Sequence, residues 1–295
     1  MKYLSYGLFV FFVFVIGIIP FRLLYMFSDF MCFVLSSVFK YRRKVILDNL
    51  NRVFPEMNAS RKRELMKDFY QHLTDLLIEG IKSFRMTEAQ INKRHIIINP
   101  ELVERFHQEG RSMIIVAAHY ANWEWGSLSA SLQTNFNVVG LYKPLSNPFV
   151  DRFLRNSRFR FGTTLASIYE TSLTFDKYRN IPTIYLMAAD QSPSKRERNK
   201  ALWIDFLGVR TAFLRGPEKH ARNNDLPVVY VDIQRVKRGH YVMELEVLAE
   251  NTADLAEGEI TGRYAGKLES IINKNPTNWL WSHRRWKLNS QAFSL

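Results

Sequence analysis

The N-terminal segment limits what this chain can fold into more than anything after it. From Tyr3 to Ile19 it reads YLSYGLFVFFVFVIGII, with Ser5 the one clearly polar side chain. In lipid a helix satisfies its own backbone groups, so a run this apolar predicts a membrane helix. At 1.5 Å per residue, roughly 17 residues reach about 25 Å, the short end of what spans a hydrocarbon core. Pro20 and Arg22 interrupt the run, and a second apolar stretch, Phe21 to Phe39, carries Arg22, Asp29 and several serines. That mixture predicts a segment lying at the interface or tucked against the body. Lys40, Arg42, Arg43 and Lys44 follow at once; by the positive-inside rule they hold the rest of the chain on the cytoplasmic side, near anionic headgroups. A cleaved signal peptide is the competing reading. The run is long for one, and no small-x-small cleavage site follows it. Cys32 comes after Asp29-Phe30-Met31, without the small residues that precede a lipidated cysteine. The expected organisation is a single membrane anchor over residues 1–39 and a cytoplasmic-face domain over 40–295, with its core at about 110–290.

Charge points the same way. The 295 residues carry a formal net charge of +13, which predicts attraction to a polyanion, either nucleic acid or an anionic membrane. The apolar N-terminus favours the membrane, and no zinc-finger, RNA-recognition or basic-zipper pattern supports nucleic acid as a partner. One cysteine, Cys32, excludes an intramolecular disulfide and a Cys-rich metal site. No internal repeat or low-complexity segment suggests a solenoid or a disordered tail.

Beyond the anchor, apolar residues recur at helical spacing in VILDNLNRVF and RELMKDFYQHLTDLLIEGI, with Pro55 breaking the pattern and Asn58-Ala59-Ser60 supplying a helix start. His95 to Ile98 is a short β-type run. From Ser112, SMIIVAA is continuously apolar, the pattern of a buried parallel strand. VVGLY, TIYLMAA and PVVYVDI repeat that pattern with helical stretches between, and the alternation in HYVMELEVL suggests an antiparallel partner. The fold class is therefore α/β: a mixed, mainly parallel sheet flanked by helices, behind an N-terminal membrane helix. In such a sheet functional residues gather where strands give way to loops. His119 stands at one such end and Asp190, closing TIYLMAAD, at another.

AAHYANWEWG is the most informative stretch. A histidine at the open end of a buried strand has no packing reason to be there. Five residues on, Glu124 falls in the first turn of the next helix, which Asn122 is placed to cap and Trp123 and Trp125 to seat. A carboxylate on one ring nitrogen sets the tautomer and raises the basicity of the other, as a general base requires. Spacing alone admits a second reading, a capped helix with a surface His and Glu. A zinc site is the weakest reading, since no second His stands at ligand spacing nearby.

This segment resembles the H-x4-(D/E) motif of glycerolipid-type acyltransferases, and more closely that of the lipid A biosynthesis (late) acyltransferase family. VVGLYKPLSNPFVDRFLRNSRFRFG is similar to the family's second block, AADQSPS to its Asp-Gln block, WIDFLGVRTAFLRGPEKHAR to an aromatic-rich turn before a helix, and NWLWSHRRWK to its C-terminal signature. The matches run in order over nearly the whole chain. Two departures stand out: Ser192 replaces a second acidic residue common in the third block, and the stretch holding Arg152 and Arg155 aligns less well.

The resemblance implies a glycerolipid-acyltransferase-like fold and transfer of an acyl group to a lipid hydroxyl. The implied donor is an acyl carrier protein thioester or acyl-CoA, and the acceptor a lipid A precursor or another glycolipid or lysolipid, such as a lysophospholipid or aminolipid. It implies His119 as base and Glu124 as its charge partner, with Arg158 and Arg160 facing substrate phosphates and Asp190 and Gln191, beside Asn122, lining the same pocket. No metal or cofactor is implied, and the implied location is a bacterial inner membrane. An acyl thioester is already activated, so the enzyme has to deprotonate an alcohol, align it and stabilise an oxyanion. Cys32, in the apolar N-terminus, is badly placed for a thiolate, which predicts direct transfer without an acyl-enzyme. NWLWSHRRWK stays open: its tryptophans and basic residues form either an interfacial patch or, through Arg284 and Arg285, a tie back to acidic residues of the body. His283 is expected to be a packing residue.

Overall fold

A computed structural model describes residues 2–289. Helices α1 (Lys2–Ile18) and α2 (Phe21–Phe33) open the chain. A π-helical turn, Val34–Val38, continues α2, so that among the described residues Phe21–Val38 is the helical run long and apolar enough, by length and composition, to cross a membrane. The first apolar stretch, where the span was expected, forms a helix of 17 residues, shorter than that run. Asp29, the acidic residue in the second stretch, is neutralised by Arg238 at 2.6 Å. The first stretch instead packs along the body, burying Val13 and Ile16, while Leu4, Leu8, Phe11 and Phe12 stay uncovered. Leu23, Met26, Phe30 and Phe33 of α2 are uncovered too, and an apolar surface of that extent marks a membrane contact.

After α3 (Arg43–Val53), the 25-residue α4 (Ala59–Ser83) is the hub. Asn58 caps it, its side chain accepting from the Arg61 amide. It packs against α1, α2 and α3. The last turn of α1 has no basic residue of its own; Lys82 of α4 supplies one, donating to the carbonyls of Gly17 at 2.6 Å and Ile19 at 2.7 Å. Those carbonyls have no partner within α1, and the cation answers the negative end of its dipole.

Next come α5 (Glu88–Arg94), β1 (His95–Ile97), α6 (Glu101–Gln108), β2 (Met113–Ala117), α7 (Trp123–Gln133), β3 (Asn137–Tyr142), α8 (Pro148–Phe159) and β4 (Thr163–Ser167). Then follow α9 (Thr171–Lys177), β5 (Thr183–Ala188), β6 (Leu202–Phe206), β7 (Val209–Phe213), α10 (Gly216–Asn224), β8 (Val228–Lys237), β9 (His240–Ala249) and α11 (Glu259–Lys274). The main sheet has the order β1-β9-β8-β2-β5-β3-β4. Its strands pair in parallel except β8 with β9, so HYVMELEVL is the antiparallel partner its alternation predicts. Sequence patterning missed β4, whose Thr and Ser content hides an edge strand, and β6–β7. In that separate hairpin Leu207 and Gly208 both have positive φ, as a two-residue turn with the right twist requires. Glu269 accepts from the Leu207 amide at 2.7 Å.

α7 lies on one face of the sheet, against β1, β3 and β4; α10 and α11 cover the other, against β2 and against β8 and β9. β2 is apolar to both sides because both sides are covered. The site is set by register. Ala117 pairs with Ala188 across β2 and β5, so two residues beyond each strand end His119 and Asp190 emerge side by side.

Candidate active site

His119 leaves β2 on a sharp turn. Ala121 takes a φ of 49°, a conformation a residue with a Cβ avoids unless its surroundings impose it. Here the C-terminal segment imposes it. The Ala121 amide donates to the Asn278 carbonyl at 3.0 Å, the Leu280 amide donates to the His119 carbonyl at 3.1 Å, and Tyr120 bridges to Trp279 in antiparallel fashion. Asn122 then starts α7, its side-chain oxygen accepting from the Trp125 amide at 3.0 Å.

The carboxylate on the imidazole is that of Asp190. Its Oδ1 lies 2.6 Å from His119 Nδ1, and its Oδ2 accepts from the His119 amide at 3.0 Å and from the Trp279 indole at 2.9 Å. Burial of Asp190 disfavours its charge, yet these donors and the imidazolium hold its carboxyl down at about 2. At His119 burial also works against the cation; the charge and hydrogen bond of Asp190, joined by the charge of Glu124, outweigh it and raise the imidazole above its ordinary value. With Nδ1–H given to Asp190, Nε2 is the basic nitrogen. It faces the Gln191 side-chain amide at 3.0 Å, and Trp123 packs edge-on to the ring with centroids 5.0 Å apart.

Glu124 does not touch the imidazole, contrary to the expectation from the five-residue spacing. Its carboxylate is paired with the buried Arg158, which also donates to Ser83 Oγ at 3.2 Å. The reason is geometric: Asp190 occupies Nδ1, and the first turn of α7 aims Glu124 along the pocket towards α8. Asn122 is likewise no wall of the pocket. It is buried, with its amide nitrogen given to Glu79 at 2.6 Å. Arg160 turns away to the carbonyl of Met86 at 3.0 Å. Of the expected residues, then, His119, Asp190 and Gln191 meet directly, Glu124 and Arg158 form a second pair, and Asn122 and Arg160 are held elsewhere.

Two contributors lay beyond sequence patterning. Glu79 of α4 is fully buried and accepts from Tyr25 at 2.6 Å, Asn122 at 2.6 Å and Tyr241 at 2.7 Å. The capping of α7 therefore depends on a carboxylate distant in sequence, for which an ungated mid-helix Glu in LLIEGI was the sole signal. Trp279 is the other. The tryptophans of NWLWSHRRWK are buried, so the segment is structural and makes no interfacial patch. Its tie runs through Arg285 to the Ala212 carbonyl at 2.7 Å and over the Phe213 ring, with no acidic ion-pair partner among the described residues, while Arg284 is exposed. His283 packs against the site, accepts from the Ser192 amide at 3.1 Å and is held neutral by burial, its pKa down at about 4.

Between α7 and the sheet lies an apolar cavity of about 200 Å³, lined by Trp123, whose ring packs on His119, and by Glu124 and Arg158. Gly126 and Ala130 of α7, Ile115, Leu186, Ile233 and Met243 line it, and Thr134 and Ile184 mark its depth. A side chain at Gly126 would come within 3.3 Å of Ile233, so the missing Cβ keeps this space open. From Trp123 to Thr134 the helix runs for roughly 16 Å at 1.5 Å per residue. A basic nitrogen backed by a carboxylate and packed on a tryptophan that lines an apolar slot can deprotonate a hydroxyl of an acyl acceptor.

The model of the bacterial lipid A biosynthesis acyltransferases matches residues 1–288. This chain belongs to that family. The acyltransferase is 21% identical to the lipid A biosynthesis lauroyltransferase of Escherichia coli, over 86% of this chain and 81% of the relative. It is 22% identical to a lipid A biosynthesis acyltransferase of Haemophilus influenzae, over 95% and 86%. The lipid A biosynthesis palmitoleoyltransferase of E. coli is 19% identical, over 84% and 79%. As an acyltransferase it has the site's ordered blocks and the uncovered apolar N-terminal helices in one chain, which fits association with a membrane.

Proposed function

We propose that this enzyme moves a fatty acyl chain from an acyl carrier protein thioester to a hydroxyl of a lipid A precursor, with His119 as general base. The observation that carries this is the line Asp190–His119–Gln191, packed on Trp123, whose ring also lines an apolar cavity. Asp190 fixes the tautomer and steadies the imidazolium. Nε2 takes the proton of the acceptor hydroxyl, whose oxygen attacks the thioester carbonyl carbon. The tetrahedral intermediate collapses, the C–S bond breaks, and the imidazolium returns the proton to the departing thiolate. The acyl tail lies in the cavity against Ala130 and Met243. Glu124 supports the base through its charge and holds Arg158 in the pocket wall, where a guanidinium can meet an oxyanion or a phosphate. No protein nucleophile takes part. The assigned setting is the cytoplasmic face of a bacterial inner membrane, with the basic run after the apolar helices facing the headgroups.

The test uses the full chain with an acyl carrier protein donor and a bis-phosphorylated glucosamine lipid acceptor. His119→Ala is expected to cut turnover by roughly 10³-fold or more while membrane association persists. Normal turnover by that variant would sink the mechanism. Mass spectrometry of lipid A from a deletion strain should show one acyl chain missing; intact lipid A would move the acceptor to another lipid.

A further inference from the structure

The two arginines of α8 that the active site leaves unused lie together on its outer side. Phe149 and Phe153 seat α8 on α1, with ring centroids 4.6 Å from Tyr3 and 5.4 Å from Phe9, and Asn147 donates to Ser5 Oγ at 3.0 Å. Arg158 points inward to Glu124. That leaves Arg152, Arg155, Asn156 and Phe159, a stripe at helical spacing, all exposed. They line a groove of about 480 Å³ closed on the other side by Thr164 and Leu165 of β4. Neither arginine is in an ion pair among the described residues. Asp151 also lines the groove, with both carboxylate oxygens already taken, accepting from Tyr142 at 2.8 Å and the Leu145 amide at 2.8 Å. The groove thus offers two guanidinium forks and an amide, edged by the exposed Phe159 and Leu145.

We infer that this groove binds the phosphate of a membrane lipid headgroup. Its chemistry fits: planar guanidinium groups donate paired, charge-assisted bonds to phosphate oxygens. The exposed Phe159 and Leu145 suit the boundary between headgroup and acyl chains. Its place fits as well. α8 lies along α1, whose other side is the uncovered apolar surface, so a bilayer meeting α1 brings its headgroups to this flank. Leu165 lines both this groove and the apolar cavity behind α7, which sets a bound headgroup one side chain from that cavity. The inference stands on binding and does not need the catalytic roles.

The full chain in neutral detergent is titrated with short-chain phosphatidylglycerol and, separately, phosphatidylcholine. Arg152→Gln with Arg155→Gln is expected to weaken phosphatidylglycerol binding about thirtyfold, given roughly 1 kcal/mol for each basic residue at a lipid surface. Lys177→Gln with Arg179→Gln, an equal charge loss on exposed residues of α9 and the turn after it, should leave it unchanged. Equal losses in both pairs, or wild-type affinity in the first, would overturn the inference. Displacement of the lipid by inorganic phosphate alone at equal concentration would also overturn it, by showing a free-anion site. A bis-phosphorylated glucosamine disaccharide that displaces phosphatidylglycerol from the wild type assigns the groove to the acceptor's phosphate. One that fails to do so assigns it to the surrounding lipid. Either result upholds headgroup phosphate as the ligand.

Discussion

Asp190 and Glu124 are both carboxylates near one imidazole, and their surroundings set them different tasks. Asp190 is buried, takes three donors and touches Nδ1. Glu124 is half exposed and already paired with Arg158. Substitution should separate them. As the proposed base, His119 must be neutral to act, and because its pKa lies above the ordinary value, kcat/KM should fall on the acid side with an apparent pKa above about 6.5. In Asp190→Asn the larger raising charge and its hydrogen bond are gone and only Glu124 opposes burial, so that limb should move to lower pH while kcat drops by roughly 10³-fold. Glu124→Gln should lower kcat less, by roughly 10- to 100-fold, and move the limb only slightly. The decisive measurement is the pH–rate profile of the two variants. If Glu124→Gln shifted the limb more than Asp190→Asn, the assignment of Asp190 as the orienting carboxylate would be wrong.

At the scale of elements, α7 does two jobs. Its start positions Glu124 and, through Asn122, answers to Glu79; its inner face, with Gly126 and Ala130, forms one wall of the acyl cavity. The cavity is therefore open to change without disturbing the base. Ala130→Phe would fill the middle of the slot, and we expect it to shift donor preference to shorter chains with little loss of rate on the shortest. Overpacking costs typically 1–3 kcal/mol, so the variant should be checked for folding by its circular dichroism melt. An unchanged chain-length profile in a folded variant would place the acyl tail elsewhere. The final segment is an element of the same kind. Its buried tryptophans are spent on bracing the turn that carries His119, not on the membrane.

For the whole molecule, the question is what joins the apolar helices to the catalytic body. Asp75 of α4 is buried between them. It accepts from Ser28 of α2 at 2.6 Å and pairs with Arg235 at 2.5 Å and Arg238 at 2.6 Å. Burial opposes its charge, but the hydrogen bonds from Arg238 and Ser28 and the charge of both arginines hold its carboxyl below the ordinary value. A depressed carboxyl stabilises the fold fully above its unfolded value, and this contribution is lost as pH falls through the folded value. Asp75→Asn should thus cost roughly 3 kcal/mol at neutral pH, since it leaves two guanidinium groups without their counter-charge. The gap in Tm between wild type and variant should narrow as the pH drops below about 4. A gap independent of pH would mean that the carboxylate's charge is not what holds the two parts together.

Local pattern was enough for much of this protein. The continuous apolar runs of SMIIVAA, TIYLMAA and PVVYVDI determined buried strands, because a strand covered on both faces tolerates no polar side. Asn58 and Asn122 marked helix starts, since their side chains satisfy amides the helix leaves open. The position of His119 at a strand end was legible for the same reason. What only the tertiary structure decided was which groups meet. β2 and β5 are adjacent and in register although some 70 residues separate His119 from Asp190, and both end in the same Ala-Ala step before their polar residue, a likeness that means nothing until the strands pair. Glu124, near in sequence, was expected at the imidazole; the direction of α7 sends it to Arg158 instead. The burial of Trp279, the hold of Glu79 on Asn122 and the outward face of Arg152 and Arg155 belong to the same class. Periodicity reports what one segment needs to bury, whereas a partner is chosen by the packing of distant segments, and that choice is made in three dimensions.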